Sequence, residues 1–404
     1  MKRIILCFFL FFICSWASVF SLDFGAVIGG NAEIVNAGET TTEAKTTLAP
    51  WLSLPMGSNA DFFLSLGLSA EHIENWAFVP ELFRLEFTIK PISSLFIRAG
   101  RIPWQDTSRF TAKGNFDGAD AQLDLGKWKI GASVLYTGLL YQNNADINYS
   151  ETDTTNYATD LDYTDFANTY FAPRRLLASV YADFPSLIAG RGDLSVGLLA
   201  QFDFSNAEEA YHTQYLLLRY IHVYKRFDMA AAAALELENT KENGVKAGYA
   251  FTLEGGWQAQ VPLFIKDRVS LSVFFASGEG PGTAAFFPIV REAQGLALKP
   301  CFAGLMVIRA NYEARILPVL SAELGFRYFI RTDSITFSDP YNDSYLKDDS
   351  YALGAEIDTA LLWSPFSDLS FSVTGGLFLP QTGGAFKSGA PVIWSISVGA
   401  LFSF

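Results

Sequence analysis

The sequence predicts an all-β protein: a transmembrane antiparallel β-barrel of about 18 strands, with 16 as the alternative. Three observations predict it. First, half the residues are apolar, 15% are aromatic and only 18% are charged. Such a chain is too apolar to be disordered and less charged than an ordinary soluble domain. Second, apolar and polar residues alternate with period two over segments of about ten residues, the length a tilted barrel strand needs. Third, the chain after residue 21 has no run of 18 apolar residues from which a helix could span a bilayer. Every backbone polar group in lipid must be paired internally, so an exported chain of this kind is left with a closed barrel.

Residues 1–21 read as a secretory signal peptide. Lys2 and Arg3 form its charged end, Ile4 to Ile13 its apolar run, and Ala17, Ser18 and Ser21 are the cleavage candidates. The run is too short to span a membrane as a helix. Before Cys14 stand Phe12 and Ile13, where a lipoprotein signal carries small residues. Cys7 and Cys14 leave with the signal, so Cys301 remains alone and no intrachain disulfide can form. Residues 22–404 are then expected to form a single barrel domain. The net charge of −13 has the wrong sign for a nucleic-acid partner.

The strands are taken in chain order. Segments 24–35, 44–54 and 61–71 open the series. Strand 79–89 turns Arg84 and Glu86 inward, and 94–101 leads into the first long connection. Strand 116–125 carries Asp120 and Asp124 on its inner face, 128–141 carries Lys129, and 173–184 carries Arg175 and Asp183. Strands 193–203, 211–223 and 228–238 follow. In 245–260 one face holds Val245, Tyr249, Phe251, Leu253 and Trp257, and the other holds Lys246, Thr252, Glu254 and Gln258. Strand 268–277 begins with the inward Arg268 and is followed by 301–313. In 319–331, Leu320, Leu324, Phe326 and Tyr328 alternate with Ser321, Glu323, Gly325 and Arg327. Strand 350–363 points Glu356 and Asp358 inward. In 368–378, Leu369, Phe371 and Val373 oppose Ser370, Ser372 and Thr374. Strand 391–404 closes the series.

The connections support this order. Those after even-numbered strands are short, as at Gly126–Lys127 and Tyr224–Phe227. Those after odd-numbered strands include all the long ones: 102–115, 142–172, 278–300, 332–349 and 380–390. Outer-membrane barrels have short periplasmic turns and long extracellular loops. The last strand places Trp394, Phe402 and Phe404 on one face. An apolar alternating strand ending in Phe resembles the recognition strand of bacterial outer-membrane proteins. That resemblance implies delivery by the barrel-assembly machinery to the cell outer membrane.

A barrel of 16 to 18 strands leaves an aqueous lumen, so function is expected in inward charges and in loops folded inward. The candidates are Arg84, Glu86, Arg98, Arg101, Asp106, Arg109, Asp117, Asp120, Asp124 and Arg327. The densest group lies in 94–126, where Arg98, Arg101 and Arg109 fall near Asp106, Asp117 and Asp120. Arginine forks hold carboxylates in fixed geometry, so the group can shape a constriction, or it can pin a loop. Arg98 and Arg101 have opposite parity. At least one of them is therefore expected in a bulge, above the membrane, or outside a regular strand.

Within this segment, Arg98-Ala99-Gly100-Arg101, Asp106, Arg109-Phe110 and Phe116-Asp117-Gly118 resemble the signature of alginate-export-type porins. The resemblance covers about 94–141 and implies an eighteen-stranded barrel in which arginines pass an anionic polysaccharide. The lumen read from the residues is mixed in sign, a departure from that family.

Connection 142–172 carries Asp146, Glu151, Asp153, Asp160, Asp162 and Asp165 and no Lys or Arg. It is read as a solvated acidic loop, with entry into the pore or Ca²⁺ binding as alternatives. Connection 278–300, with Phe286 and Phe287, is an apolar gate or a contact at the lipid rim. His72, His212 and His222 have no metal-ligand spacing, and Gly-x-Ser-x-Gly and P-loop motifs are absent. An enzyme is therefore not expected and no cofactor is needed. The expected function is passive diffusion of small hydrophilic solutes through an outer-membrane channel in contact with lipid, as a trimer or a monomer. The alternatives are a selective channel for an anionic oligo- or polysaccharide and a non-conducting surface protein with acidic loops.

Overall fold

The computed structural model describes residues 22–72, 76–148, 161–188, 190–204, 211–240, 244–337, 341 and 345–404. The expected signal peptide lies outside the described residues, as do Glu151, Asp153 and Asp160 of the acidic connection. The first six strands are β1 (Asp23–Asn36), β2 (Thr40–Pro55), β3 (Ala60–His72), β4 (Trp76–Ile92), β5 (Leu95–Gln105) and β6 (Lys113–Asp124). Next come β7 (Lys129–Tyr136), β8 (Arg175–Ile188), β9 (Gly192–Asp203), β10 (His212–Tyr224), β11 (Phe227–Thr240) and β12 (Gly244–Trp257). The last six are β13 (Lys266–Ala276), β14 (Leu305–Leu317), β15 (Leu320–Arg331), β16 (Ala352–Trp363), β17 (Leu369–Leu379) and β18 (Ile393–Ser403).

Each strand pairs antiparallel with the next, and β18 pairs with β1, so the sheet closes into an 18-stranded barrel. Each of the eighteen predicted segments overlaps one strand in order, and the sixteen-strand alternative fails. The terminal residue completes the closure: Ala26 N–H donates to the Phe404 carbonyl (2.9 Å) and Phe404 N–H to the Ala26 carbonyl (3.0 Å). Connections after odd-numbered strands all open at the end away from Asp23 and Phe404, and the long ones are among them.

Three boundaries differ for local reasons. β7 stops at Tyr136, short of the predicted 141, because the Thr137 hydroxyl turns to the Pro173 carbonyl (2.5 Å). β14 starts at Leu305 because Gly304 takes a left-handed φ of 55°. β5 continues past 101 to Gln105, so Arg98 and Arg101 both lie in it, on opposite faces.

The outer face is the apolar one: Val134, Val180, Leu198, Leu216, Leu253 and Val398 are exposed around the wall. The expectation of a polar inner face holds only in part. Towards the loop end Ile102, Phe116, Leu135, Leu177, Leu199 and Leu217 face inward and are buried in one cluster. Loops fold into the lumen onto this layer. Phe286, Ile289 and Phe302 of loop 277–304 and Ile147 of the 137–174 connection join the same cluster. Phe110 packs edge-on against Phe302 (5.5 Å) and Phe286 (6.0 Å). Burying such rings stabilises the inward fold by about 1.5–3 kcal/mol each.

The wall opens in a seam between β4 and β5. The β4–β5 ladder ends at Leu85↔Arg101, while β4 continues to Trp76 paired only with β3. Gly100, at φ 117°, kinks β5 there: a Cβ on it would stand 1.9 Å from the Leu85 carbonyl oxygen. Side chains cap the open edge of β4 at every second residue. Tyr163 donates to the Phe78 carbonyl (2.5 Å) and accepts from the Phe78 N–H (2.9 Å). Tyr170 donates to the Pro80 carbonyl (2.7 Å), and Arg101 Nη1 to the Leu82 carbonyl (2.7 Å). Pro80 has no N–H to leave unpaired, the usual place for proline on a sheet edge.

Candidate functional site

The site is built on loop 106–112, which closes the β5–β6 hairpin inside the barrel. Asp106 organises it. One carboxylate oxygen accepts from the N–H groups of Ser108 (2.5 Å) and Arg109 (3.0 Å) and from the Ser108 hydroxyl (2.5 Å). The other accepts from the N–H groups of Thr111 (3.0 Å) and Ala112 (2.6 Å). This is the aspartate-led turn that polar side chains favour over regular structure. Burial pushes the Asp106 carboxyl above its usual range, against the pull of these donors. Arg109 sits at a left-handed φ of 69°, a backbone state that costs an arginine about 1–2 kcal/mol. The loop is clamped from above, where Ile289 N–H donates to the Thr111 carbonyl (2.8 Å).

The loop tip reaches the far inner wall, where a Cβ on Gly197 of β9 would stand 2.3 Å from the Thr107 hydroxyl. Between loop and wall lies a cavity of about 710 Å³. Its loop side carries Arg98, Asp106, Thr107, Arg109 and Asp120, and its far side Ser179, Tyr181, Asp183, Ser195 and Arg219. Arg98 Nη2 holds Asp120 at 3.0 Å, and the Ser133 hydroxyl donates to the other Asp120 oxygen (2.8 Å). Ser195 donates to Asp183 (2.5 Å). Among the described residues neither Arg109 nor Arg219 has a carboxylate at ion-pair distance. Neither guanidinium is held in an ion pair, and the Asp183 carboxylate of the same cavity attracts Arg219. A second cavity of about 300 Å³ shares Asn115 and Asn144 with the first and is lined also by Lys45, Glu81, Arg101 and Asp146.

The structure brings together Arg98, Asp106, Arg109 and Asp120 of the predicted group and separates the rest. Arg101 is only 5% exposed; its fork grips Asp117 (2.9 and 2.8 Å) while reaching the Leu82 and Leu139 carbonyls. This pair serves the wall seam on the face of β5 opposite Arg98, with Arg101 reaching only the smaller cavity. Arg84 and Glu86 pair on the inner wall (2.7 Å) outside both cavities. Asp124 caps the turn at Gly126 (2.7 Å) at the periplasmic end. Arg327 pairs with Glu356 (3.3 Å) and Asp358 (3.0 Å) in the wall at β15–β16. Phe402 and Phe404 are exposed on the outer face, with Trp394 half-buried in the same alternation.

Sequence reading missed Arg219. Its signal was present: Leu216 and Leu218 are the outer residues of β10, which puts Tyr215, Leu217 and Arg219 inside. It also missed Glu236, and it placed Glu356 inward without its role: these two buried carboxylates tether loop 277–304. Glu236 on β11 accepts from the Phe287 N–H (2.9 Å). Glu356 on β16 accepts from the N–H groups of Leu296 (2.6 Å) and Leu298 (2.9 Å). Residues 142–148 of the acidic connection do enter the lumen, bridging Ile147 to Val290, whereas 161–172 lies at the β4 seam.

No protein-family model matches the chain, and no curated protein matches it. The resemblance of 94–141 to alginate-export-type porins is thus carried by no family match. The fold has clear relatives among solved structures, three of them from Pseudomonas aeruginosa as follows. The outer membrane protein OprD is 12% identical at a TM-score of 0.58, over 95% of this chain and 93% of that one. OccK11 (OpdR) is 13% identical at 0.58, over 95% and 96%. OccK2 (OpdF), solved in complex with glucuronate, is 10% identical at 0.61, over 95% and 98%. The described chain has the fold of these proteins, a closed 18-stranded antiparallel β-barrel.

Proposed function

We propose that the protein is an outer-membrane channel through which small hydrophilic solutes diffuse passively, with selection at the cavity beside loop 106–112. One observation carries this: a loop pinned inside an 18-stranded lumen faces a wall across a cavity in which, among the described residues, Arg109 and Arg219 are held in no ion pair. Such guanidinium groups attract anions and raise their local concentration. This favours small anions over cations although the chain as a whole is acidic. A substrate-selective channel for an anionic sugar is the second reading, supported by the same arginines and by the glucuronate complex of the structural relative OccK2.

The test is single-channel conductance of refolded protein in a planar bilayer under a salt gradient. Discrete steps with anion-favouring reversal potential are expected. Arg109→Glu combined with Arg219→Glu is expected to reverse the preference, while Arg101→Glu leaves it unchanged and lowers stability. A folded barrel without conductance would overturn the channel reading in favour of a surface-binding protein.

A further inference from the structure

The periplasmic turns are basic on one side of the barrel only. Every Lys and Arg in them falls in three consecutive turns: Lys127 between β6 and β7, Arg191 between β8 and β9, and Lys225 and Arg226 between β10 and β11. These three turns hold no acid, and the other five hold no base. All four cations are exposed, and among the described residues none has a carboxylate at ion-pair distance. Two of them share one ring. The Arg191 guanidinium lies 5.0 Å from the centre of Tyr224, and the Lys225 ammonium 5.3 Å from it. The ring attracts both and holds them close together. Tyr224 has the strand parity of the exposed Leu216 and Leu218, so this pair of cations stands on the lipid side of the rim.

Above these turns the outer wall is hollowed. The register sets Ala121 against Ala132, and Ala182 between Ile130 and Val196. The three alanines floor an apolar hollow of about 660 Å³, walled by Leu95, Leu123, Phe184 and Leu198. Trp128 forms its periplasmic lip, with its ring stacked on Phe184 at 5.9 Å and the planes 7° apart. Val196 of the hollow follows Arg191 by five residues along β9. At a rise of about 3.4 Å per residue and a tilt of about 40°, it lies about 13 Å deeper, within the roughly 15 Å of hydrocarbon in one leaflet.

An unfilled gap in a lipid-facing wall forfeits dispersion contacts on one side. Small residues let an apolar body approach the backbone closely and recover them. An acyl chain and the wall of a second copy both have that chemistry, and the cations decide between them. A two-fold pairing of copies brings the same patch together from both sides, and with it the unpaired cations of both. A lipid instead sets a phosphate against the cations while its chain enters the hollow.

We propose that the outer face of β5–β11 binds one anionic phospholipid of the inner leaflet. Its phosphate sits between Arg191 and Lys225, and an acyl chain fills the hollow over Ala121, Ala132 and Ala182. The site lies on the opposite side of the wall from the solute cavity, and its occupancy does not require conduction.

The experiment places the refolded barrel in phosphatidylcholine vesicles containing a rising fraction of either phosphatidylglycerol or phosphatidylcholine with brominated chains. The readout is quenching of Trp128, isolated as the difference between the parent and Trp128→Phe. Phosphatidylglycerol is expected to reach half-quenching at about tenfold lower fraction, the preference that one or two basic side chains give at a lipid surface. In Arg191→Gln/Lys225→Gln the two lipids should quench alike. Ala132→Phe fills the hollow from the lipid side and leaves the charges in place, and it should abolish most of the preference. Heat-modifiable gel mobility checks that both variants are folded. Equal quenching by the two lipids in the parent would overturn the proposal, as would a preference that survives the glutamine variant. A preference untouched by Ala132→Phe would place the lipid on the rim alone and overturn the hollow as its seat. Native mass spectrometry of the detergent-refolded barrel tests the other occupant: a dimer that Ala132→Phe dissociates would assign the hollow to a second copy and overturn the lipid site.

Discussion

Replacing Asp106 with alanine should release the constriction loop without unfolding the barrel. The magnitude follows from what its carboxylate holds. The N–H groups of Thr111 and Ala112 both donate to one oxygen, and both residues are buried. Each buried donor left unpaired costs about 1–3 kcal/mol, hence about 2–6 kcal/mol for the two. The lower end applies, because removing the carboxyl also relieves its own burial cost, the cause of its raised pKa. About 2 kcal/mol still raises the displaced-loop population about 30-fold. The ladder is untouched, since β5 and β6 pair only as far as Gln105↔Lys113. Single-channel recording is therefore expected to show a larger and noisier current in Asp106→Ala, with an intermediate effect in Asp106→Asn. The heat-modifiable gel mobility of the folded barrel should not change. Quiet, parent-like current in a folded Asp106→Ala protein would refute the reasoning, because the loop would then be held elsewhere or would not limit the current.

Three further outcomes follow from the same geometry. The Asp106 carboxyl is raised in the pinned loop, so the unfavourable contribution of its charge is present above that raised pKa and is lost as pH falls through it. Acid therefore favours the pinned loop, and a current that becomes larger and noisier in acid, in the parent but not in Asp106→Asn, would contradict this. Glu356→Ala removes the acceptor of the Leu296 and Leu298 N–H groups and one partner of Arg327; a loss of about 3 kcal/mol is expected, read as a lower temperature for the heat-induced gel shift. Gly100→Ala places a Cβ 1.9 Å from the Leu85 carbonyl oxygen at a φ of 117°; the folded yield on refolding into detergent should fall sharply, and a normal yield would show that the kink does not need glycine.

The barrel was legible because a wall between lipid and water imposes period two on every strand, as in β12, where Val245, Tyr249 and Leu253 are exposed and Lys246 and Glu254 turn inward. The site was half legible. Asp106 and Arg109 lie close to Arg98 and Asp120 in sequence, and a hairpin keeps such neighbours together. Arg219 comes from the opposite wall, and its distance from loop 106–112 depends on how far that loop bends inward, which alternation does not encode. The inward leucines misled for a related reason. Leu135, Leu177 and Leu199 look misplaced in a wet lumen until loop 277–304 is packed on them. Arg101 and Asp117 were placed in the pore by proximity, although the strand parity of Arg101 already set it apart from Arg98.

The seam at β4 changes what the 137–174 connection is. An ordinary extracellular loop can be shortened or exchanged with little effect on the sheet beneath it. Here Tyr163 and Tyr170 stand in for a missing strand, and burial pushes the Tyr170 hydroxyl up to about 12, so it remains a neutral donor across the physiological range. Removing 161–172 would bare an apolar sheet edge bordered by Trp76 and Phe78. Such an edge is a template for pairing with another chain. Loop variation among relatives of this protein is thus constrained from within the wall: segments that cap β4 can drift only if they keep hydroxyl or guanidinium donors at that spacing, or if β5 lengthens its ladder to replace them.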